Sequence, residues 1–157
     1  FCTRLSAGRA YDATAAVFRI PDDEAVEAPA RAYAARRGAH VRVVYATAGD
    51  GWASETVLAQ GRAIGALRSE ETPCAAHALG EKEPVVRDLG DGRLGEITRP
   101  PAARSPAQDT REAILAEERP DIVITWGPDG DYGHPDRRLV SLVVTDSLAG
   151  REHTQRS

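Results

Sequence analysis

The chain has 157 residues, of which 41% are hydrophobic and 28% are charged, and its formal net charge is −4. This length predicts a single domain, residues 1–157, that is large enough to bury a core. The acidic balance, with no basic stripe, excludes a non-specific nucleic-acid binder, and no apolar run approaches the roughly 20 residues of a membrane-spanning helix.

Apolar periodicity divides the chain into alternating strands and helices. In chain order, we predict a strand at 14–20, a helix to about 37, a strand at 40–46, a helix at 55–79, a strand at 84–89, a helix at 109–118, a strand at 121–125 and a helix at 135–148, before a polar tail at 150–157. This alternation predicts an α/β fold, with a Rossmann-like, mostly parallel sheet and helices on both faces.

The two cysteines, Cys2 and Cys74, are far apart in the sequence and have neither metal-ligand nor redox spacing. Cys74 lies in an alanine-rich helical stretch, so we expect it to be a small buried residue. Because this cysteine usage does not require an oxidising compartment, the cytoplasm is the expected location.

The glycine-rich loop at 125–138 concentrates the polar chemistry of the chain. It follows a strand, precedes a helix, and carries one tyrosine, one histidine and three aspartates, at Tyr132, His134, Asp129, Asp131 and Asp136. Open α/β sheets place their active sites where a strand ends and a helix begins. A polar turn with a helix-capping aspartate has the same composition, so the loop alone leaves both interpretations open.

A second acidic turn, at 22–24, follows the first strand in the same way. In a parallel sheet the two turns lie at one edge, so their side chains can converge across a crevice. Another loop, which contains Gly49-Asp50-Gly51, follows the second strand. It is a fragment of a nucleotide-binding pattern without the full fingerprint. A nucleotide-binding domain is therefore a further alternative.

These motifs together resemble a known family. The turn at 21–24 and the loop at 127–136 resemble the two signature motifs of the PIG-L/LmbE family of zinc-dependent N-acetylglucosaminyl deacetylases, and 68–80 and 88–94 resemble two further family segments. The resemblance implies hydrolysis of an N-acetyl amide on a small-molecule sugar conjugate of the glucosamine type. Family chains continue beyond the last helix seen here, so we expect a C-terminal truncation. The sequence does not indicate an oligomeric state.

The resemblance also implies roles for single residues of this chain. Asp22 matches the general base that acts on water, and Asp23 matches the carboxylate ligand of zinc. His134 matches the residue that stabilises the oxyanion and protonates the leaving amine, and Tyr132 matches a tyrosine that polarises the amide carbonyl. Arg68 and Asp91 match positions that contact sugar hydroxyls.

Two positions depart from the family pattern. Ile20 and Arg137 stand where the two histidine ligands of zinc belong, and a guanidinium cannot serve as a ligand. Two interpretations therefore stay open: a zinc-dependent deacetylase with an altered site, and a non-catalytic relative that has lost its zinc and at most binds a sugar. Zinc at Asp23 would favour the first, and an ion pair between Arg137 and Asp23 the second.

Overall fold

A computed structural model of the chain describes residues 14–19, 27–51, 62–97 and 106–155. The strands in these ranges are β1 (Thr14–Arg19), β2 (His40–Tyr45), β3 (Val85–Val86) and β4 (Ile122–Ile124). The helices are α1 (Ala28–Arg36), α2 (Arg62–Leu79), α3 (Leu94–Ile97), α4 (Pro106–Glu118), α5 (Gly130–Gly133) and α6 (Pro135–Gln155).

The four strands form one parallel sheet in the order β3-β2-β1-β4. The register pairs Thr14 with His40 between β1 and β2, and Ala15 with Ile122 between β1 and β4. The predicted α/β class with a parallel sheet is thus confirmed. Because the strands run in one direction, all four end at the same edge, which we call the carboxyl edge. The loops after β2, β3 and β4 begin there, and β1 ends there at Arg19.

Strand β2 buries apolar side chains on both faces, as is typical of a strand inside a parallel sheet, although Arg42, on the same face as Val44, pairs with Glu118 of α4 at 2.7 Å. Its odd-numbered side chains, from Val41 to Tyr45, pack with alanines at the end of α1, whereas Val44 packs on the opposite face with α4 and α6. Each fully buried side chain of this size contributes roughly 1.5–3 kcal/mol. The helices thus cover both faces of the sheet at β2, with α1 on one face and α4 and α6 on the other.

Helix α6 fixes the position of the loop that precedes it. Val140, Val144 and Leu148 recur every four residues, which places them on one helix face in the core shared with Ile114 and Leu115 of α4. The helix continues to Gln155, so the prediction of a polar tail from residue 150 is wrong. A single glycine at position 150 costs a helix only about 1 kcal/mol, which does not end a long packed helix.

The structure bears on two further predictions, the ends of α1 and α2 and the burial of Cys74. Gly38 and Gly80, the predicted stops of α1 and α2, have φ of 96° and 81°, the left-handed conformation typical of helix C-termini. Cys74, in contrast, is exposed and disulfide-bonded; the other cysteine of the sequence, Cys2, lies outside the described residues. The expectation of a small buried residue is wrong, because α2 buries the opposite side, which carries Thr72 and Ala76.

None of the described helices combines the length and the apolar character that would span a bilayer. The cytoplasmic location stays a prediction, and the disulfide at Cys74 removes the cysteine argument on which it was based.

Candidate functional site

The carboxyl edge brings together four of the six residues that the sequence predicts for the site. Arg68 lies in α2 and Asp91 in the turn after β3. Tyr132 lies in α5, and His134 connects α5 to α6. Asp22 and Asp23, together with Ile20, follow β1 in the sequence but lie outside the described residues. The roles of these residues therefore stay predictions.

Asp136, the second residue of α6, joins that helix to the turn after β3. Its buried carboxylate accepts a hydrogen bond from the backbone N–H of Gly92 at 2.6 Å and another from the N–H of Leu94 at 3.2 Å. Burial raises the pKa of Asp136 above its ordinary value of 3.8, and the charge of Asp91 acts in the same direction. The two N–H groups and His134 oppose this shift without cancelling it. Asp136 is therefore a structural clamp.

Asp91 joins the turn after β3 to the loop after β2. Its Oδ1 accepts a hydrogen bond from the Thr47 hydroxyl at 3.3 Å, its Oδ2 accepts one from the Gly51 N–H at 3.1 Å, and its own N–H donates to Asp50 Oδ1 at 3.2 Å. A Cβ at Gly51 would lie 2.8 Å from Asp91 Oδ2, so only glycine permits this approach. Sequence reasoning missed Thr47; its position directly beyond β2 was the available signal.

Arg68 reaches the same loop from α2. Its Nη1 donates a hydrogen bond to the carbonyl oxygen of Gly49. Arg68 and Asp91, the two predicted sugar contacts, therefore hold one loop, residues 47–51, from two directions. Both side chains therefore meet at this loop, and each of them makes a hydrogen bond with its backbone.

His134 connects α5 to α6. Its backbone N–H donates to the Gly130 carbonyl at 3.3 Å, and its own carbonyl accepts from the Arg138 N–H at 3.1 Å. The imidazole meets the Tyr132 ring edge-on, with 6.5 Å between ring centroids. Its Nδ1 is buried and makes no hydrogen bond within the described part of the chain. A buried polar atom in this state costs about 1–3 kcal/mol, and such atoms point to functional positions.

Arg137 is buried beside these residues. Its side chain is 1% exposed, and its guanidinium carbon lies 4.1 Å from the Trp126 ring centroid and 4.5 Å from that of Tyr132. Its Nη1 also donates to Asp131 Oδ2 at 3.0 Å. The contact with Asp131 shows where part of the arginine's charge is balanced; Asp23, the partner that the sequence suggested, lies outside the described residues.

The backbone of the loop is unusual at Asp131. This non-glycine residue has φ 70° and ψ −98°, a conformation that costs on the order of 1–3 kcal/mol. Its N–H donates to Asp129 Oδ1 at 3.2 Å, and its carboxylate pairs with Arg137. Gly130, with φ 69°, is packed so closely that a Cβ there would lie 2.5 Å from Arg138 Cγ. Local contacts thus hold a strained turn in place.

The described residues do not fit the zinc site that the family resemblance implies. No group of three or more histidine, cysteine, aspartate or glutamate side chains within the described ranges is arranged to hold a metal ion. At the position of the last histidine ligand, the Arg137 guanidinium has only donors, and its charge repels a divalent cation. A metal ion cannot be held by this side chain.

The fold and these loops define an α/β protein with a polar site at the carboxyl edge of a parallel sheet. The family model described as GlcNAc-PI de-N-acetylase, PIG-L, matches residues 20–148. The chain belongs to this PIG-L family.

Among its relatives are two proteins named 1D-myo-inositol 2-acetamido-2-deoxy-alpha-D-glucopyranoside deacetylase. The protein of Corynebacterium kroppenstedtii is 32% identical over 160 residues, which cover 88% of this chain and 41% of that protein. The protein of Mycobacterium leprae is 36% identical over 148 residues, which cover 82% of this chain and 47% of that protein. The chain therefore spans about half the length of the curated relatives it matches.

Solved structures show the same fold. An N,N'-diacetylchitobiose deacetylase from Pyrococcus horikoshii superposes with a TM-score of 0.68 at 25% identity, over 87% of this chain and 49% of that one. A 4-carboxy-2-hydroxymuconate hydratase from Pseudomonas putida superposes with a TM-score of 0.66 at 18% identity, over 85% of this chain and 55% of that one. At 18% identity the second likeness concerns the fold alone.

Proposed function

We propose that this chain belongs to a deacetylase that hydrolyses the N-acetyl amide of a glucosamine-type sugar conjugate. The observation that carries the proposal concerns His134, which lies at the carboxyl edge of the sheet. Its buried Nδ1 makes no hydrogen bond to any described residue. The names of the relatives support the substrate class, because the bacterial ones are deacetylases of a 2-acetamido-2-deoxy-glucopyranoside of inositol. The structural relative that acts on diacetylchitobiose has an acetylated glucosamine substrate too.

The reaction needs a base, an acid and a polarised carbonyl. We assign the base to Asp22, which takes a proton from the attacking water as the oxygen adds to the carbonyl carbon. We assign the acid to His134, which gives a proton to the amine nitrogen as the carbon–nitrogen bond breaks, so that the sugar amine leaves and acetate is formed. Tyr132 is 72% exposed, so its hydroxyl is accessible to a substrate carbonyl while its ring covers Arg137.

We propose that Arg68 and Asp91 act on the sugar through the 47–51 loop that they hold. Hydrogen bonds to Gly49 and Gly51 fix this loop, and a fixed loop presents its polar groups to sugar hydroxyls with little loss of entropy on binding.

The strand order β3-β2-β1-β4 supports a Rossmann-like sheet, since it equals the first four strands of that arrangement.

A second function is favoured by Arg137. Because a buried guanidinium stands at the position of a zinc ligand, the chain is also a candidate for a non-catalytic relative that binds the sugar without cleaving it. Asp23, the remaining predicted ligand, would then have no catalytic metal to hold. This alternative keeps the carboxyl edge as the sugar site and removes only the hydrolytic step.

One experiment separates the two functions. The purified chain is incubated with N-acetylglucosaminyl-inositol and with diacetylchitobiose, and released amine is measured with a fluorogenic reagent while binding is measured by calorimetry. Amine release that disappears in His134→Ala but persists in His77→Ala, a control at an exposed histidine on α2, supports the deacetylase. Binding without release supports the alternative, and neither binding nor release refutes both.

A further inference from the structure

Arg137, at the end of the 126–137 loop, contacts residues at the beginning and in the middle of that loop. Its guanidinium lies over the ring of Trp126, which directly follows the Thr125 position beyond β4, and over the ring of Tyr132 in α5. It also pairs with Asp131 across six residues. We name these four residues, Trp126, Asp131, Tyr132 and Arg137, the Arg137 cluster. His134 lies within the segment that the cluster encloses.

We propose that Arg137 is a positioning residue. Its guanidinium is a permanent internal cation that orders the 126–137 loop, and with it His134, so that the loop does not depend on a bound metal ion. This role of Arg137 is the same whether the protein cleaves its sugar ligand or only binds it.

The chemistry of the cluster explains why arginine suits this position. A guanidinium stays charged at every accessible pH, is planar, and stacks on aromatic faces while its edge donates hydrogen bonds. The negative faces of two rings attract the cation most strongly where water is excluded, and Arg137 is 1% exposed. Asp131, which balances charge from the side, is 53% exposed, so the pair does not require both charges to be desolvated.

The strained backbone of Asp131 is held by contacts that include the ion pair with Arg137. A positive φ of 70° is unfavourable for aspartate, and it is retained where the residue's carboxylate reaches Arg137 and its N–H reaches Asp129. Strain of this kind persists only where surrounding contacts determine the conformation. The ion pair with Arg137 is one such contact.

The first test uses the unmodified chain. We expect elemental analysis to find far less than one zinc per chain, and we expect the Tm to be the same after dialysis against a chelator and after addition of zinc. A chain that keeps one zinc and loses thermal stability in the chelator would overturn the proposal, because the loop would then be held by metal.

The second test removes parts of the cluster. Tyr132→Leu removes one ring from Arg137, and we expect the Tm to fall by about 2–4 °C. The control is Tyr33→Leu, which removes a ring lying 5.0 Å from the Arg37 guanidinium and a hydroxyl that accepts a hydrogen bond from Arg37 Nη1 at 2.8 Å. There we expect a smaller fall, because Arg37 is less buried than Arg137 and a ring attracts a hydrated cation less strongly. Equal falls in the two variants would contradict the proposal.

A third measurement distinguishes positioning from stability alone. The imidazole proton resonances of His134, assigned by their absence in His134→Ala, report the ring's surroundings. We expect them to shift in Arg137→Lys, which keeps the charge but loses the planar stacking group, and to be unchanged by zinc or chelator in the parent chain. If Arg137→Lys does not fold, Asp131→Asn decides the test, since it weakens the pair with Arg137 at an exposed side chain and leaves the Tyr132 ring beside His134 in place. Resonances that respond to metal and not to these changes at the Arg137 cluster would refute the proposal.

Discussion

The carboxylate of Asp136 accepts the backbone N–H of Gly92 at 2.6 Å, across 44 residues of sequence. This bond joins the first turn of α6 to the turn after β3, and a second bond to Leu94 N–H completes the clamp. The carboxylate is buried, and burial raises the pKa of Asp136 above 3.8 despite both N–H donors. Folding therefore favours the protonated form of this group.

The pH dependence of stability follows from that shift. Between the unfolded and the folded pKa of Asp136, the folded chain binds more protons than the unfolded chain, so the contribution of Asp136 falls as pH rises above 3.8. Asp136→Asn removes this dependence. Because its amide has one acceptor oxygen for two N–H donors, we also expect it to lower the free energy of unfolding by about 1–3 kcal/mol. Urea unfolding of both proteins over a pH series measures the difference. A difference in stability that grows with pH would show that the N–H bonds outweigh burial.

A buried ion pair provides a prediction about stability far from the loop. Arg31 of α1 and Glu81, just beyond α2, are 1% and 0% exposed, and they are joined by bonds of 2.7 and 3.2 Å. Removing one partner leaves the other charge buried, so Glu81→Gln should lower the free energy of unfolding by about 3–5 kcal/mol.

Arg36→Ala, at an exposed arginine of the same helix, should change stability by less than about 0.5 kcal/mol. Urea unfolding measures both variants. A Glu81→Gln variant as stable as Arg36→Ala would mean that water reaches the pair.

Two glycines of the same loop form a matched comparison. Gly130 and Gly133 both have positive φ, at 69° and 88°, so alanine at either position meets a backbone cost of about 1–2 kcal/mol. At Gly130 the new Cβ would also lie 2.9 Å from the Arg138 backbone nitrogen, whereas nothing lies within 4 Å at Gly133. We expect Gly130→Ala to be less stable than Gly133→Ala by about 1–3 kcal/mol. Equal stabilities, measured by urea unfolding, would show that the loop relaxes around Gly130.

The sequence predicted the sheet because its signals are local. Strand β2 is rich in valine, at positions 41, 43 and 44, and the alternation of strands with helices is sufficient to predict parallel pairing. The polar loop at 125–138 was recognised for the same reason, since a cluster of aspartates with a histidine directly beyond an apolar strand is visible in one dimension.

The contacts that organise the site are not local. Nothing about an aspartate at position 136 indicates that it accepts backbone N–H groups of Gly92 and Leu94, because any residue supplies such donors. The burial of Arg137 depends on how the rings of Trp126 and Tyr132 are oriented in three dimensions. Cys74 was misplaced because an alanine-rich helix such as α2 gives little contrast between its faces.

The last prediction tests whether Ile20 and Arg137 account for the weak zinc binding that we expect of this chain. Relative to the family pattern, Ile20 and Arg137 replace the two histidine ligands, while Asp23 keeps the third. Arg137→His supplies an imidazole and removes a cation that repels zinc, and Ile20→His supplies the other imidazole. Each single variant has two ligands and should bind zinc weakly, whereas the double variant has three, the number that protein residues supply in catalytic zinc sites.

Arg137→His also removes the guanidinium from Trp126 and Tyr132, so without zinc both variants that carry it should melt below the parent. Zinc at about 100 times its dissociation constant should stabilise the double variant by about 2.7 kcal/mol and leave the parent unchanged. Zinc stoichiometry by competition with a chromogenic chelator, together with the Tm with and without zinc, measures the effect in the parent and all three variants. A double variant that binds no more zinc than the parent would show that ligand identity is not what prevents binding, since both imidazoles would then be present without converging on Asp23.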